Sequence, residues 1–185
     1  MIGPRAKAAL IMAIFALPIA ASILAYRLYR PDATSNYGEL LLPPATVTAQ
    51  PFATESGKPF AFGELAGRWV LVASDSGDCA APCREKLESL RQVRLALGRN
   101  ASRVARVFVV DDLRRPAAGA LDEFSGTLVA LTPAGMVLPT GAANDRAHVY
   151  LVDPRGNVMM RWPAGADRKR MLGDLQRLLK ASQIG

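Results

Sequence analysis

The sequence is poor in the residue types that build metal clusters and disulfide frameworks. It contains only two cysteines, Cys79 and Cys83, and one histidine, His148. Two cysteines cannot form the several bridges of a small disulfide-stapled domain. With a single histidine they also fall short of the four ligands of a structural zinc site. A dense lysine and arginine stripe interleaved with aromatic residues is missing too, so the sequence gives no support for nucleic-acid binding.

The charge of the chain is unevenly distributed. The 185 residues have a formal net charge of +7, and residues 1–30 contain four basic residues and no acidic ones. Within this stretch, residues 8–26 are uncharged over 19 positions, which is enough for a helix to cross a hydrocarbon core of about 30 Å. We therefore predict a short N-terminal tail over residues 1–7 and a transmembrane anchor over residues 8–26. A cleaved signal peptide, ending near residues 18–22, and a buried soluble helix are the alternatives.

The remaining residues divide into a linker and a folded domain. Residues 31–56 are rich in proline, threonine, serine and alanine without clear periodicity, which is typical of a connecting segment. We assign residues 27–56 to a linker and residues 57–185 to a domain.

The domain shows an alternation of apolar runs and amphipathic segments. A glycine turn leads into a short apolar run over residues 67–74, which indicates a buried strand. Residues 83–97 place leucines and a valine mostly on one helical face. Further strands are predicted near residues 104–110, 127–131 and 148–153, followed by a turn, a hairpin strand over 158–162 and a closing helix over 167–181. This order predicts an α/β fold with a mixed sheet flanked by helices, as in thioredoxin-like domains.

The two cysteines occupy the junction between the first buried strand and the first long helix. A Cys83 thiolate in the first helical turn would be stabilised by unpaired backbone N–H groups and the positive end of the helix dipole. Three intervening residues allow the sulfurs to bind one metal ion or to form a disulfide. Soft thiolates favour Cu(I), whereas the same dithiol can exchange with a partner's disulfide. The pair is therefore a candidate site for metal binding or redox catalysis, and two cysteines without function are the alternative.

His148 is the third candidate. It starts a predicted strand, where a lone histidine is commonly a surface or packing residue. Imidazole is a copper ligand too. Cys79, Cys83 and His148 together therefore form a candidate three-ligand copper site.

These motifs resemble the Sco/SenC family, membrane-tethered thioredoxin-like proteins that assist cytochrome c oxidase assembly. The resemblance rests on the anchor, the apolar run over residues 67–72, the Cys79-x3-Cys83 pair with its leucine-rich helix, and the Tyr-Leu-Val-Asp-Pro-Arg-Gly motif over 150–156. It implies copper bound by two cysteines and one histidine, and delivery of copper to the oxidase or reduction of the cysteines of its copper site. It also implies a bacterial inner membrane location with the domain on the periplasmic side, and an oxidase subunit or other assembly factors as partners.

The chain departs from the family pattern at three places, one of which is a short stretch between strand and hairpin. The family usually has proline after each cysteine, where this chain has Ala80 and Arg84. The family histidine usually precedes the Tyr-Leu pair by about five residues, whereas His148 is only two before Tyr150. Three functions follow as hypotheses: copper handling, thiol–disulfide oxidoreductase activity without copper delivery, and a non-catalytic scaffold for oxidase assembly.

Overall fold

The computed structural model describes residues 3–28, 35–47, 51–133 and 145–182. The chain separates into two compact units, Met1–Ser35 and Asn36–Gly185. Part of the predicted linker, over residues 29–34 and 48–50, lies outside the described residues. The stretch between the predicted third and fourth strands does so as well, over residues 134–144.

The first unit contains one apolar helix, α1, which spans Pro4–Leu28. Within it, Leu10–Leu28 is long and apolar enough to cross a membrane, with a mean hydropathy of 1.9. Pro18 lies inside the helix and Arg27 lies in its last turn, where a cation interacts favourably with the helix dipole.

The described residues of the second unit form a mixed sheet of eight strands in the order β1-β8-β7-β4-β5-β6-β2-β3. Strand β4 pairs in parallel with β5 and β5 with β6, while β4 pairs antiparallel with β7 and β7 with β8. The strands are β1 (Glu39–Thr46), β2 (Phe52–Thr54), β3 (Pro59–Phe60), β4 (Trp69–Asp75), β5 (Val104–Val110), β6 (Thr127–Leu131), β7 (His148–Val152) and β8 (Asn157–Pro163). The predicted mixed sheet is thereby confirmed.

Two helices cover one face of this sheet. Helix α2 spans Ala81–Ala96 and helix α3 spans Arg168–Ala181. Their apolar sides form one core cluster with the inward residues of the central strands, among them Leu71, Phe108 and Val149. A second cluster lies on the opposite face and contains Phe52, Phe60, Phe62, Val107 and Tyr150. The central parallel strands are buried on both faces, which explains their nearly continuous apolar sequences.

The structure differs from the predicted linker over residues 27–56. Strand β1 lies in this segment and pairs antiparallel with β8, and β2 pairs with β3 and β6. The register of β1 shifts between Leu40 and Ala45, where Pro43 and Pro44 interrupt the pairing. Because proline cannot donate a ladder hydrogen bond, it is tolerated at sheet edges and bulges. The prolines that suggested a linker therefore belong to an edge strand.

A buried carboxylate fastens the start of the globular unit to its last helix. Asp174 of α3 is fully buried and accepts hydrogen bonds from the backbone N–H of Tyr37 (3.0 Å), the backbone N–H of Gly38 (2.8 Å) and Trp162 Nε1 (2.9 Å). Arg177 adds an ion pair at 2.5 Å. Burial alone would raise the pKa of Asp174, but these hydrogen bonds and the ion pair outweigh it and hold the pKa below its usual value of 3.8.

We predict that Asp174→Asn lowers the free energy of unfolding by about 2–4 kcal/mol, because an amide cannot satisfy all of these donors. The carboxylate has a lowered pKa in the folded state, so its contribution is complete above the unfolded-state pKa and is lost as the pH falls through the folded-state value. Denaturant unfolding at several pH values should show the difference from wild type shrinking below about pH 4. Asp122→Asn, at an exposed aspartate, is the matched control and should show no such loss.

Candidate functional site

Cys79 and Cys83 are joined in a disulfide, with their Cα atoms 5.0 Å apart. Cys79 lies in the loop after β4, and Cys83 is the third residue of α2. Pro82 occupies the second helical position, where its missing N–H would have no partner in the helix anyway. The sequence thus brings both sulfurs to the start of the first long helix of the globular unit.

The loop that presents Cys79 is held tightly against the end of β5. The backbone N–H of Gly77 donates to Asp112 Oδ1 at 3.1 Å, and the N–H of Cys79 donates to the carbonyl of Ser76 at 3.0 Å. A Cβ added to Gly77 would lie 1.9 Å from the carbonyl oxygen of Arg114, so only glycine allows this approach. Cys79 itself has a φ of 38°, a left-handed conformation that non-glycine residues rarely adopt.

Both cysteines are buried. Their exposed fractions are 4% for Cys79 and 2% for Cys83, and both belong to the core cluster under α2. A nucleophile attacking the disulfide must approach a sulfur atom directly. Local opening of the loop around the disulfide is therefore a condition for any exchange with a partner.

A buried lysine sits one helical turn after Cys83. The Lys86 ammonium donates to the carbonyls of Ser74 (2.8 Å) and Arg146 (2.8 Å) and to Asp75 Oδ2 (3.0 Å). Its side chain is 2% exposed and that of Asp75 is 16% exposed. All three ammonium hydrogens thus have acceptors, and the lysine ties α2 to the end of β4 and to the loop before β7. The helical pattern gave no signal for this role, because lysine on an amphipathic helix is ordinarily a solvent-facing residue.

Arg146 organises the carboxylates at the same end of the sheet. Its guanidinium contacts Asp111 at 2.6 Å, Asp112 at 3.6 Å and Asp75 at 3.8 Å. The hydrogen bonds and charge of Asp111 raise the pKa of Arg146 against the opposing effect of burial. Burial works to raise the pKa of Asp112, but hydrogen bonds from Ser76, Gly77 and Arg114 outweigh it and lower the pKa. Asp75, Asp111 and Asp112 carry three negative charges against the two positive charges of Arg146 and Lys86, so this structural network beside the disulfide keeps one net negative charge.

His148 is not brought to the cysteines. Side chains alternate along β7, so Val149 joins the core cluster that contains the disulfide, whereas Tyr150 joins the cluster on the opposite face. The His148 ring lies 6.1 Å from the Tyr150 ring, centroid to centroid, and its Nδ1 lies 2.9 Å from Asp145 Oδ2. Among the described residues, no group of three or more His, Cys, Asp or Glu side chains is arranged to hold a metal ion. The three-ligand set of Cys79, Cys83 and His148 is thus not assembled in this structure.

Asp145 occupies the position five residues before Tyr150, where Sco-like sequences usually carry histidine. It holds His148 and also accepts a hydrogen bond from the Tyr150 hydroxyl. Burial opposes the ionised form of Asp145, yet the hydrogen bonds from Tyr150 and His148 prevail and lower its pKa. An ionised carboxylate therefore stands at this position.

These features define a class of protein: a thioredoxin-like domain with a disulfide at the start of its first helix, preceded along the chain by an apolar helix. The family described as "Transmembrane-like, thioredoxin-like, C-terminal domain" matches residues 69–182, more than half of the chain. The chain belongs to this family. No curated protein sequence matches it significantly.

Solved structures of Sco proteins share this fold. Copper-bound ScoI of Arabidopsis thaliana superposes with a TM-score of 0.61 at 14% identity, covering 75% of this chain and 100% of that one. Yeast Sco1 gives a TM-score of 0.62 at 16% identity, covering 76% and 97%. BsSco, a cytochrome c oxidase assembly protein described as having a disulfide switch, gives 0.58 at 14% identity, covering 77% and 99%. The predicted Sco-like fold is confirmed, and at these identities the likeness is one of fold.

We predict that Lys86→Met lowers the free energy of unfolding by about 3–5 kcal/mol, because the substitution leaves Asp75 and two carbonyls buried without their donor. The measurement is denaturant unfolding of the oxidised protein. Lys169→Met, at an exposed lysine of α3, is the control and should change stability by no more than about 0.5 kcal/mol. Combining Lys86→Met with Asp75→Asn should recover part of the loss. If the double variant is less stable than Lys86→Met alone, the assigned ion pair is contradicted.

Proposed function

We propose that the chain is a membrane-anchored Sco-like protein that exchanges disulfides through Cys79 and Cys83 during cytochrome c oxidase assembly. The observation that carries the proposal is the disulfide between these residues at the start of α2. Two cysteines that bond within the helix-start loop of a thioredoxin-like domain form a reversible two-electron couple. The described disulfide switch of BsSco, a protein of similar fold, supports the same chemistry here.

The exchange begins from the reduced pair, which forms when a donor dithiol delivers two electrons and two protons to the Cys79–Cys83 disulfide and is itself oxidised to a disulfide. One thiolate attacks a partner's disulfide, which forms a mixed disulfide and releases one partner thiolate. The second thiolate then attacks the mixed disulfide, forms the Cys79–Cys83 bond and releases the other partner thiolate. Two electrons pass to the partner, and the two protons lost by the pair balance those taken up by the partner's thiolates.

The start of α2 favours the thiolate form of Cys83. The first N–H groups of a helix have no partner within it, and the helix dipole places positive charge there. Lys86, one turn further along the same side of the helix, is paired with Asp75 and adds little net positive charge. Arg84, the residue after Cys83, is likewise engaged, by Glu123 and by the carbonyl of Ala120.

Copper binding by the reduced pair is the second candidate function. Two thiolates at a Cα separation of 5.0 Å form a soft donor set that suits Cu(I), and copper-bound Sco proteins share the fold. The proposed site leaves out His148, because alternation along β7 turns it away from the face of Val149 and its Nδ1 lies 2.9 Å from Asp145 Oδ2. We therefore propose a two-sulfur copper site in which the metal is cargo passed to a partner.

The proposed location is the inner membrane of a bacterium, with the globular unit on the periplasmic side. The apolar length of α1 supports a single span. An oxidising compartment supports a disulfide as the resting form of the pair. The proposed partners are an oxidase subunit or other assembly factors.

We predict that the full chain in detergent exchanges with glutathione until its dithiol and disulfide forms reach a single two-electron equilibrium. Mass spectrometry after acid trapping will measure the amounts of the two forms. Cys79→Ser and Cys83→Ser should each abolish this equilibrium and stop at a mixed disulfide, because the second thiolate is missing. His148→Ala should leave it unchanged.

In cells lacking the wild-type protein, either cysteine variant should fail to restore cytochrome c oxidase. Restored oxidase with both cysteine variants would instead support a non-catalytic scaffold.

For copper, we predict that the reduced chain binds one Cu(I) in competition with a chromogenic chelator. Each cysteine variant should weaken binding by at least about 100-fold, because a single thiolate remains. His148→Ala should retain the wild-type affinity. A loss with His148→Ala as large as that with the cysteine variants would contradict the two-sulfur site. If the chain exchanges disulfides but does not bind Cu(I), only the oxidoreductase function is supported.

A further inference from the structure

Two segments of the helix layer are strongly basic. Residues 89–103 cover the second half of α2 and the turn after it, and residues 168–182 cover α3. Together they contain nine arginines and lysines and a single acidic residue, Asp174. Asp174 is fully buried, so it presents no charge at the surface. We call the exposed side of these two segments the basic face.

The two segments lie side by side. Helices α2 and α3 pack against the same face of the sheet and against each other. Arg103, in the turn after α2, donates to two backbone carbonyls at the end of α3, at 2.9 and 2.8 Å. The other acidic residues of the helix layer, Glu85, Glu88 and Asp167, all precede the two segments along the chain. The basic face is therefore one continuous surface.

Much of its charge is not neutralised within the protein. Asp174 pairs with Arg177, and Glu88 contacts Arg91 at 3.4 Å. Other basic residues of the face are exposed and have no carboxylate of a described residue as a partner: Arg99, Lys169 and Lys180. The face therefore presents an excess of positive charge to its surroundings, which attracts an anionic partner.

An exposed leucine lies on the same surface. Leu95 of α2 is 53% exposed, although it is a large apolar residue. A leucine among basic residues suits the boundary of a bilayer, where an apolar side chain reaches the acyl region and long basic side chains contact the headgroups. The charges are also spread over two helices, which matches an extended anionic surface.

The chain itself keeps this face within reach of lipid. The backbone N–H groups of Tyr37 and Gly38 are bonded to Asp174 in the middle of α3. Tyr37 follows Leu28, the last residue of α1, by nine positions, and a chain of this length reaches at most about 32 Å. With α1 in a bilayer, α3 is therefore confined near the headgroups, which raises their effective concentration at its surface.

We infer that the basic face docks on the anionic phospholipid headgroups of the membrane that holds α1. The inference rests on the membrane anchor of the function proposed above, and it is independent of the chemistry of the cysteines. In the docked state the exposed arginines and lysines contact lipid phosphates, and Leu95 lies at the headgroup boundary. The short chain before Tyr37 favours lipid over an acidic protein as the occupant.

The test uses the oxidised full chain in nanodiscs, with one chain per disc. The discs contain phosphatidylcholine alone or an equal mixture of phosphatidylcholine and phosphatidylglycerol. Because no cysteine is free in the oxidised chain, Gln176→Cys provides a single thiol on the basic face for a fluorescent label. This label should be protected from the neutral quencher acrylamide in anionic discs, and accessible to it in zwitterionic discs or at high salt. A label at Ser56→Cys, between β2 and β3, should be accessible in all of them.

Charge reversal makes the test specific to the basic face. One variant reverses three exposed charges of this face: Arg99→Glu, Lys169→Glu and Lys180→Glu. The control variant reverses three exposed charges elsewhere: Lys58→Glu, Arg115→Glu and Arg155→Glu. The first variant should lose the protection of the Gln176 label in anionic discs, because each basic residue near an anionic surface adds to the binding. The control should keep it, and both should exchange with glutathione as the wild type does.

The outcomes separate the anchor from the docking surface. A chain that stays in neither disc has no membrane anchor, and the inference then fails with it. A chain that inserts but leaves the Gln176 label equally accessible in both discs overturns the docking surface alone, and points to an acidic protein as the partner of the basic face. Equal loss of protection in the two charge variants also overturns it, since net charge would then control docking.

Discussion

The ammonium of Lys86 holds together the end of the sheet where the disulfide lies. An ammonium offers three hydrogens, and here each has an acceptor on a different residue: Ser74, Asp75 and Arg146. Helix α2, the end of β4 and the loop before β7 therefore meet at one charged group that has little access to water. The placement of Cys83 follows, because it lies one turn earlier on the same helix. The adjacent contact of Gly77 with the loop after β5 fixes Cys79 in the same way.

The buried charges of the globular unit show how the fold tolerates polar groups in its core. Lys86 and Asp174 are surrounded by partners, so the cost of removing each charge from water is offset by an ion pair and several hydrogen bonds. Arg106 has one carbonyl and two nitrogens without acceptors.

The sequence predicts some elements well for a clear physical reason. Strands β4 and β5 are continuous apolar runs because both of their faces are buried, and α2 and α3 show the periodicity of helices with one buried face. Strand β1 was missed because Pro43 and Pro44 lie in it, and only pairing with β8 reveals it as an edge strand. His148 was placed beside the cysteines by its position along the chain. Side chains alternate along β7, and Val149 and Leu151 point toward the helices. The side chain of His148 therefore points to the other face of the sheet. Lys86 had no local signal, since its partners lie in distant parts of the chain.

The attachment of Tyr37 and Gly38 to α3 has a mechanical consequence. The backbone of both residues is bonded to Asp174, and the Tyr37 ring packs under the Arg170 guanidinium at 3.9 Å. Tension applied through the chain before Asn36 is therefore transmitted first to the C-terminal helix. Because α3 shares one core cluster with α2 and both cysteines, the load reaches the disulfide loop through side-chain packing as well as through the sheet.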